Sequence, residues 1–266
     1  MICVRRQTDV PANACPRCGA PVVDGQRFCP GCGRQAIALA IRASQPRAEL
    51  MARTLVGWAA GVIGGRLEEA ERENAEALRL ARALGAKRFE AQIQGVTAVL
   101  AHRCGDHERA RGLAQAAIAV CREHGMGHIG PRTHGVCALV ESDRDARIAW
   151  LEAGERQLAL GCVSHNHIQL RELAIDVLLE LGDVDGVEQQ CAAIAAYTAN
   201  TANESLPMSE FSMPRGRALA RFGRGERSQG LLDDLRALRS TASQSEMNTL
   251  LATLGVAIAA FDASSR

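Results

Sequence analysis

Residues 66–85, RLEEAERENAEALRLARALG, place Leu67, Ala70, Asn74, Ala77, Leu78, Ala81 and Leu84 at helical spacing on one stripe. Asn74 is the only polar member of that stripe. Glu68, Glu69, Arg72, Glu73, Glu76 and Arg79 cover the other face, and Glu68 with Arg72 forms a favourable i,i+4 pair. The pattern predicts an amphipathic helix that ends at Gly85, where a glycine takes the left-handed backbone of a helix stop. The same ending recurs at Gly125, Gly161 and Gly182. Alanine, leucine, glutamate and arginine dominate from about residue 46 onward, and no segment alternates as a strand would.

The recurrence has a period. GRLEEA at 65–70 and GDHERA at 105–110 start 40 residues apart, as do SDRDAR at 142 and GDVDGV at 182; GRGERS at 223 follows 41 later. A unit of that length holds two helices, so the expected fold is all-α: an α-solenoid of about five helix hairpins. Asp106 and Asp183 stand where the second helix of a unit needs an N-cap. Ala70 and Ala110 are small where paired helices cross. GVIGG (61–65) reads as the turn of the first hairpin, and the apolar run LLATLGVAIAAF as the helix capping the array. Trp58 and Trp150, in apolar stretches, read as core residues.

The front of the chain is different. In CPRCGAPVVDGQRFCPGCG, Cys15, Cys18, Cys29 and Cys32 form two C-x2-C pairs separated by ten residues. A two-residue gap lets both sulfurs of a pair reach one ion from a tight turn, and four thiolates suit tetrahedral zinc. This predicts a zinc ribbon with structural Zn2+ and a closed shell, which leaves no open position for metal catalysis. The chain thus divides into an N-terminal stretch (1–14), the ribbon (15–33), a linker or first helix (34–45) and the repeats (46–266).

Composition narrows the setting. Thirty-one basic and 30 acidic residues give a formal charge of +1. Residues 1–53 hold eight arginines against three acids, a mild pointer to an acidic or nucleic-acid partner. No continuous apolar leader begins the chain, and no apolar run reaches the ~20 residues that span a bilayer. Six further cysteines scattered beside a thiolate site fit a reducing compartment. The expected location is the cytoplasm, with no membrane association.

Two segments, GCVSHNHIQLRELAIDVLLELGDVDGVEQQCAAIAAYT and LPMSEFSMPRGRALARFGRGER, carry a resemblance. They look like the C-terminal tetratricopeptide-like (TPR-like) repeats of bacterial class III adenylate/guanylate cyclase proteins, over residues 50–240. Those are multidomain chains with an AAA-type ATPase module, some opening on a short zinc ribbon. Met208 departs from the pattern, which has a tryptophan after Leu-Pro. The resemblance implies TPR-like repeats and a setting in cyclase- or ATPase-linked signalling. Cyclase or ATPase activity does not follow from it. The single lysine, Lys87, lies outside any G-x4-G-K-[ST] frame, and there are no strands to carry catalytic aspartates.

Other polar clusters weigh less. Cys162, His165 and His167 suggest a metal site, but residues two apart on a helix point about 200° away from each other. They read instead as a helix start capped by Ser164 or Asn166. His102, Cys104 and His107 lie at one helix connection, and His124, His128 and His134 around another, with no base–orienter pair or oxyanion turn beside them. Cys121 and Cys137 read as small buried hydrophobes. The expected function is therefore non-catalytic: an adaptor that takes a protein partner in the concave groove of its repeats. The alternatives are a nucleic-acid-binding regulator using Arg5, Arg6, Arg17, Arg27 and Arg34, and a remnant of a multidomain cyclase.

Overall fold

A computed structural model describes residues 30–200 and 207–264. The described residues form twelve α-helices, and no strand occurs among them. These are α1 (Pro30–Arg42), α2 (Pro46–Trp58), α3 (Leu67–Ala83), α4 (Lys87–Arg103), α5 (His107–His124) and α6 (Gly130–Val140). They continue as α7 (Arg144–Ala159), α8 (His165–Leu181), α9 (Val184–Asn200), α10 (Pro207–Gly223), α11 (Gln229–Gln244) and α12 (Leu251–Ser264). The stretch 34–45 is therefore mostly helix: α1 begins inside the cysteine segment, and Pro46 then opens α2 at a position that needs no N–H.

Consecutive helices pack as neighbours, α2 on α3, α4 on α5, α6 on α7 and α8 on α9. The acids at the recurring boundaries do the work the sequence assigns them. Asp106 Oδ1 accepts from Arg109 N at 3.2 Å and Asp183 Oδ1 from Gly186 N at 2.9 Å, and Asp143 caps α7 in the same way. Gly85 (φ +62°) and Gly182 (φ +69°) end their helices in left-handed backbone.

In α3 the middle of the predicted stripe is packed, with Ala70, Asn74, Ala77 and Ala81 buried, but Leu67 is exposed, and Glu73, expected on the outer face, is buried along with Leu80. Close approach explains the small residues. A Cβ at Gly61 would meet Leu100 at 2.6 Å and Ala70 at 2.7 Å, and one at Gly57 would meet Asn74 Oδ1 at 2.2 Å. Two further local expectations are corrected. Arg72 pairs with Glu73 (3.3 Å) instead of Glu68, because Glu73 is buried, where attraction is less screened, while Glu68 is exposed; Glu73 also receives Arg53 at 2.6 Å. GVIGG is a turn only at its end: Ala59–Ile63 continues α2 as a π-helical segment, and the chain reverses at Gly64–Gly65.

One apolar core runs from α4 to α10 around Ile118, Val136, Leu170, Ile175 and Ile194, with Cys121, Cys137 and Cys191 as buried small residues. A second joins α10, α11 and α12 through Phe211, Leu231, Leu235, Leu254 and Phe261. The run read as a capping helix is α12, and its entry segment also touches the beginning of the array. Thr249 Oγ1 donates to Val62 O at 2.8 Å and Asn248 Nδ2 to Gly64 O at 3.0 Å, across more than 180 residues of chain. No described helix is long and apolar enough to cross a membrane.

Candidate functional site

Of the four predicted zinc ligands, Cys15, Cys18 and Cys29 lie outside the described residues. Cys32 is described: it sits partly buried in the first turn of α1. The free N–H groups of a helix start favour negative charge there, which suits a metal thiolate. The donor set itself, four thiols in two C-x2-C pairs, fits zinc. Bound zinc would supply the fold of a segment with almost no apolar core. The helix that carries Cys32 packs along α2, so the last of the four predicted ligands is built into the first helix pair.

A second polar centre lies where α2, α4, α6, α8 and α10 converge, and the sequence reading missed it. These helices line a partly open cavity of ≈ 60 Å³, with Trp58, Val62, Arg103, Arg132, Glu172, Asp176, Ser212 and Arg215 among its walls. Arg215 is 3 % exposed and ion-paired to Asp176. Arg103 donates to the Val62 carbonyl at 2.7 Å, a group held in the π-helical segment. Ser212 Oγ lies 3.3 Å from Glu172 Oε1 and donates to it.

Arg132 is only 5 % exposed, and its guanidinium forms no ion pair with any described residue. Of the arginines that line this cavity, two have a buried guanidinium nitrogen with no acceptor among the described residues, Arg132 Nη1 and Arg215 Nε. Gly95 leaves space for the first of them, since a Cβ there would stand 3.4 Å from Nη1. Burial pulls Arg132 down to about 10, against the pull of Glu172. Burial, with the like charge of Asp176, pushes Glu172 up to about 7; Ser212, Arg215 and Arg132 oppose the rise.

A pattern in the sequence did point here. Arg132, Glu172 and Ser212 are polar residues inside largely apolar helices, and they stand 40 residues apart, at one register of the repeat. The period was visible in the helix boundaries and went unread at these interior positions.

The histidines separate. His165 faces His128, with ring centroids 6.1 Å apart, while His167 stacks on Tyr197 at 4.4 Å. Burial, then His128 and Arg132, lowers His165 to about 4. Ser164 occupies the N-cap position of α8 but makes no side-chain cap bond. Asn166 is fully buried and acts as a clamp, accepting from Arg132 N and donating to His128 O and Val163 O. No group of three or more His, Cys, Asp or Glu side chains that could hold a metal occurs among the described residues. His134 packs against Trp150 at 5.5 Å. Burial raises the Cys137 thiol to about 12 and that of Cys191 to about 11, which makes both poor nucleophiles.

Residues 15–35 match the family model of a zinc-ribbon domain. No curated protein and no solved structure matches the chain.

Proposed function

We propose that the chain is a non-catalytic protein-interaction adaptor in which a structural zinc ribbon is joined to an α-solenoid of about five TPR-like hairpins. The observation that carries this reading is the junction. The ribbon match ends at residue 35, inside α1, and α1 packs along α2. Two binding modules on so short a tether grip one partner with avidity when both can engage it at once. The setting implied by the resemblance is cyclase- or ATPase-linked signalling.

The nucleic-acid reading gains nothing from the described residues. Arg34, the one arginine of its five that is described, is engaged by Glu69 at 3.0 Å. The test is affinity capture from cytosol with the intact chain and with Cys15→Ser/Cys18→Ser. The adaptor reading expects a discrete cyclase or ATPase chain that the variant loses at least tenfold. Recovery of nucleic acid alone, with affinity falling steeply as salt rises, would favour the regulator instead.

A further inference from the structure

The interior cavity holds more positive charge than its own residues compensate. Asp176 is committed to Arg215, and Arg103 is held by a neutral carbonyl. Glu172 takes its hydrogen bond from Ser212 and makes no ion pair among the described residues. Arg132 is thus left as a buried cation with a free Nη1, and Arg215 adds a free Nε. A buried charge that lacks a partner is costly, and a buried donor with no acceptor adds to that cost. With both carboxylates ionised the five charged groups sum to +1, and protonation of Glu172 makes the sum +2.

We propose that this cavity is a binding site for a small monovalent anion of chloride or formate size, with Arg132 as its principal partner and Arg215 Nε as a second donor. Size sets the class. A space of ≈ 60 Å³ has room for a handful of water molecules, at roughly 10–15 Å³ apiece, or for one compact anion, and not for a nucleotide or a peptide. The planar guanidinium presents fixed donors that suit a compact anion.

Binding is coupled to a proton. An anion entering beside Glu172 repels its carboxylate, so the anion prefers the protonated form and, by reciprocity, raises the proton's affinity. The other charged groups around Glu172 are Asp176 on its own helix, Arg132 on α6, Arg215 on α10 and Arg103 on α4. Burial and the like charge of Asp176 hold the Glu172 carboxyl at about 7. Anion affinity therefore rises as pH falls, by roughly tenfold between pH 8 and pH 6 if only the protonated form binds.

The experiment uses the purified full chain. Sodium chloride or sodium formate is titrated against sodium gluconate at constant ionic strength, at pH 6 and pH 8, with the thermal midpoint and chlorine-35 NMR linewidth as readouts. The expected result is saturable stabilisation by both small anions, tighter at pH 6. Glu172→Gln should bind more tightly and lose the pH dependence, and Arg132→Gln should abolish saturation. Where Arg132→Gln fails to fold, the Glu172→Gln arm carries the test. Equal effects of gluconate and chloride, no saturation, or an unchanged anion response in Glu172→Gln would each overturn the proposal.

Discussion

Residues 15–35 carry four cysteines and a single aromatic residue, Phe28, whereas α4 to α10 share one continuous apolar core. The two regions therefore answer to different physics. A ribbon with so little to bury depends on its metal, since structural zinc contributes ~10–16 kcal/mol to the folding of such sites. The helical region has a core of its own, in which its helices bury leucines, isoleucines and alanines against one another. Cys32 belongs to both, as a predicted ribbon ligand that stands in the first turn of α1. Damage to either region should accordingly stay in that region, apart from what passes through α1.

The largest effect should come from the ligands. Cys29→Ser/Cys32→Ser should lower bound zinc from one per chain to none, measured by elemental mass spectrometry, while helix content stays close to that of the parent. In the other region Leu254, fully buried among the residues of α10 to α12, tests the core. Leu254→Ala should cost about 2–5 kcal/mol of unfolding free energy in a urea titration and leave zinc content unchanged.

A pH effect is next in size. Burial, with Arg122 and Arg156 nearby, lowers His134 to about 4 in the folded chain, against about 6.5 when unfolded. The unfolded chain thus takes up this proton first. The stability contributed by neutral His134 is whole above pH 6.5 and is lost as pH falls toward 4, by about 1 kcal/mol per pH unit. His134→Gln should flatten that slope in denaturation curves measured across the window. The smallest change is at a helix start. Asp106→Ala removes the cap on Arg109 N and should cost about 1 kcal/mol, read as a small fall in the urea midpoint.

The parts legible in the sequence were those that repeat locally. Helix stripes, glycine stops and capping aspartates are set by residues a few positions apart, and the middle of the α3 stripe and the Asp106 and Asp183 caps follow from them directly. The cysteine spacing carried the ribbon for the same reason. Contacts between distant segments were hidden. Nothing near Thr249 announces that its hydroxyl will meet the Val62 carbonyl, and nothing near Arg132 announces Glu172 and Arg215 across the cavity. Asn166 looked like a cap because asparagine often is one, yet its amide turned inward to backbone groups around His128 and Arg132. The 40-residue spacing of Arg132, Glu172 and Ser212 was a long-range signal for the cavity, and reading it required the period seen at the helix boundaries to be applied to buried polar positions.

The claim that the metal folds one region and burial the other is tested most directly by a chelator titration of the full chain. Far-ultraviolet circular dichroism and released zinc would be followed together. The account predicts release of one zinc per chain with the helical signal nearly intact, apart from a small loss from α1. A helical signal that collapsed in step with zinc release would contradict it.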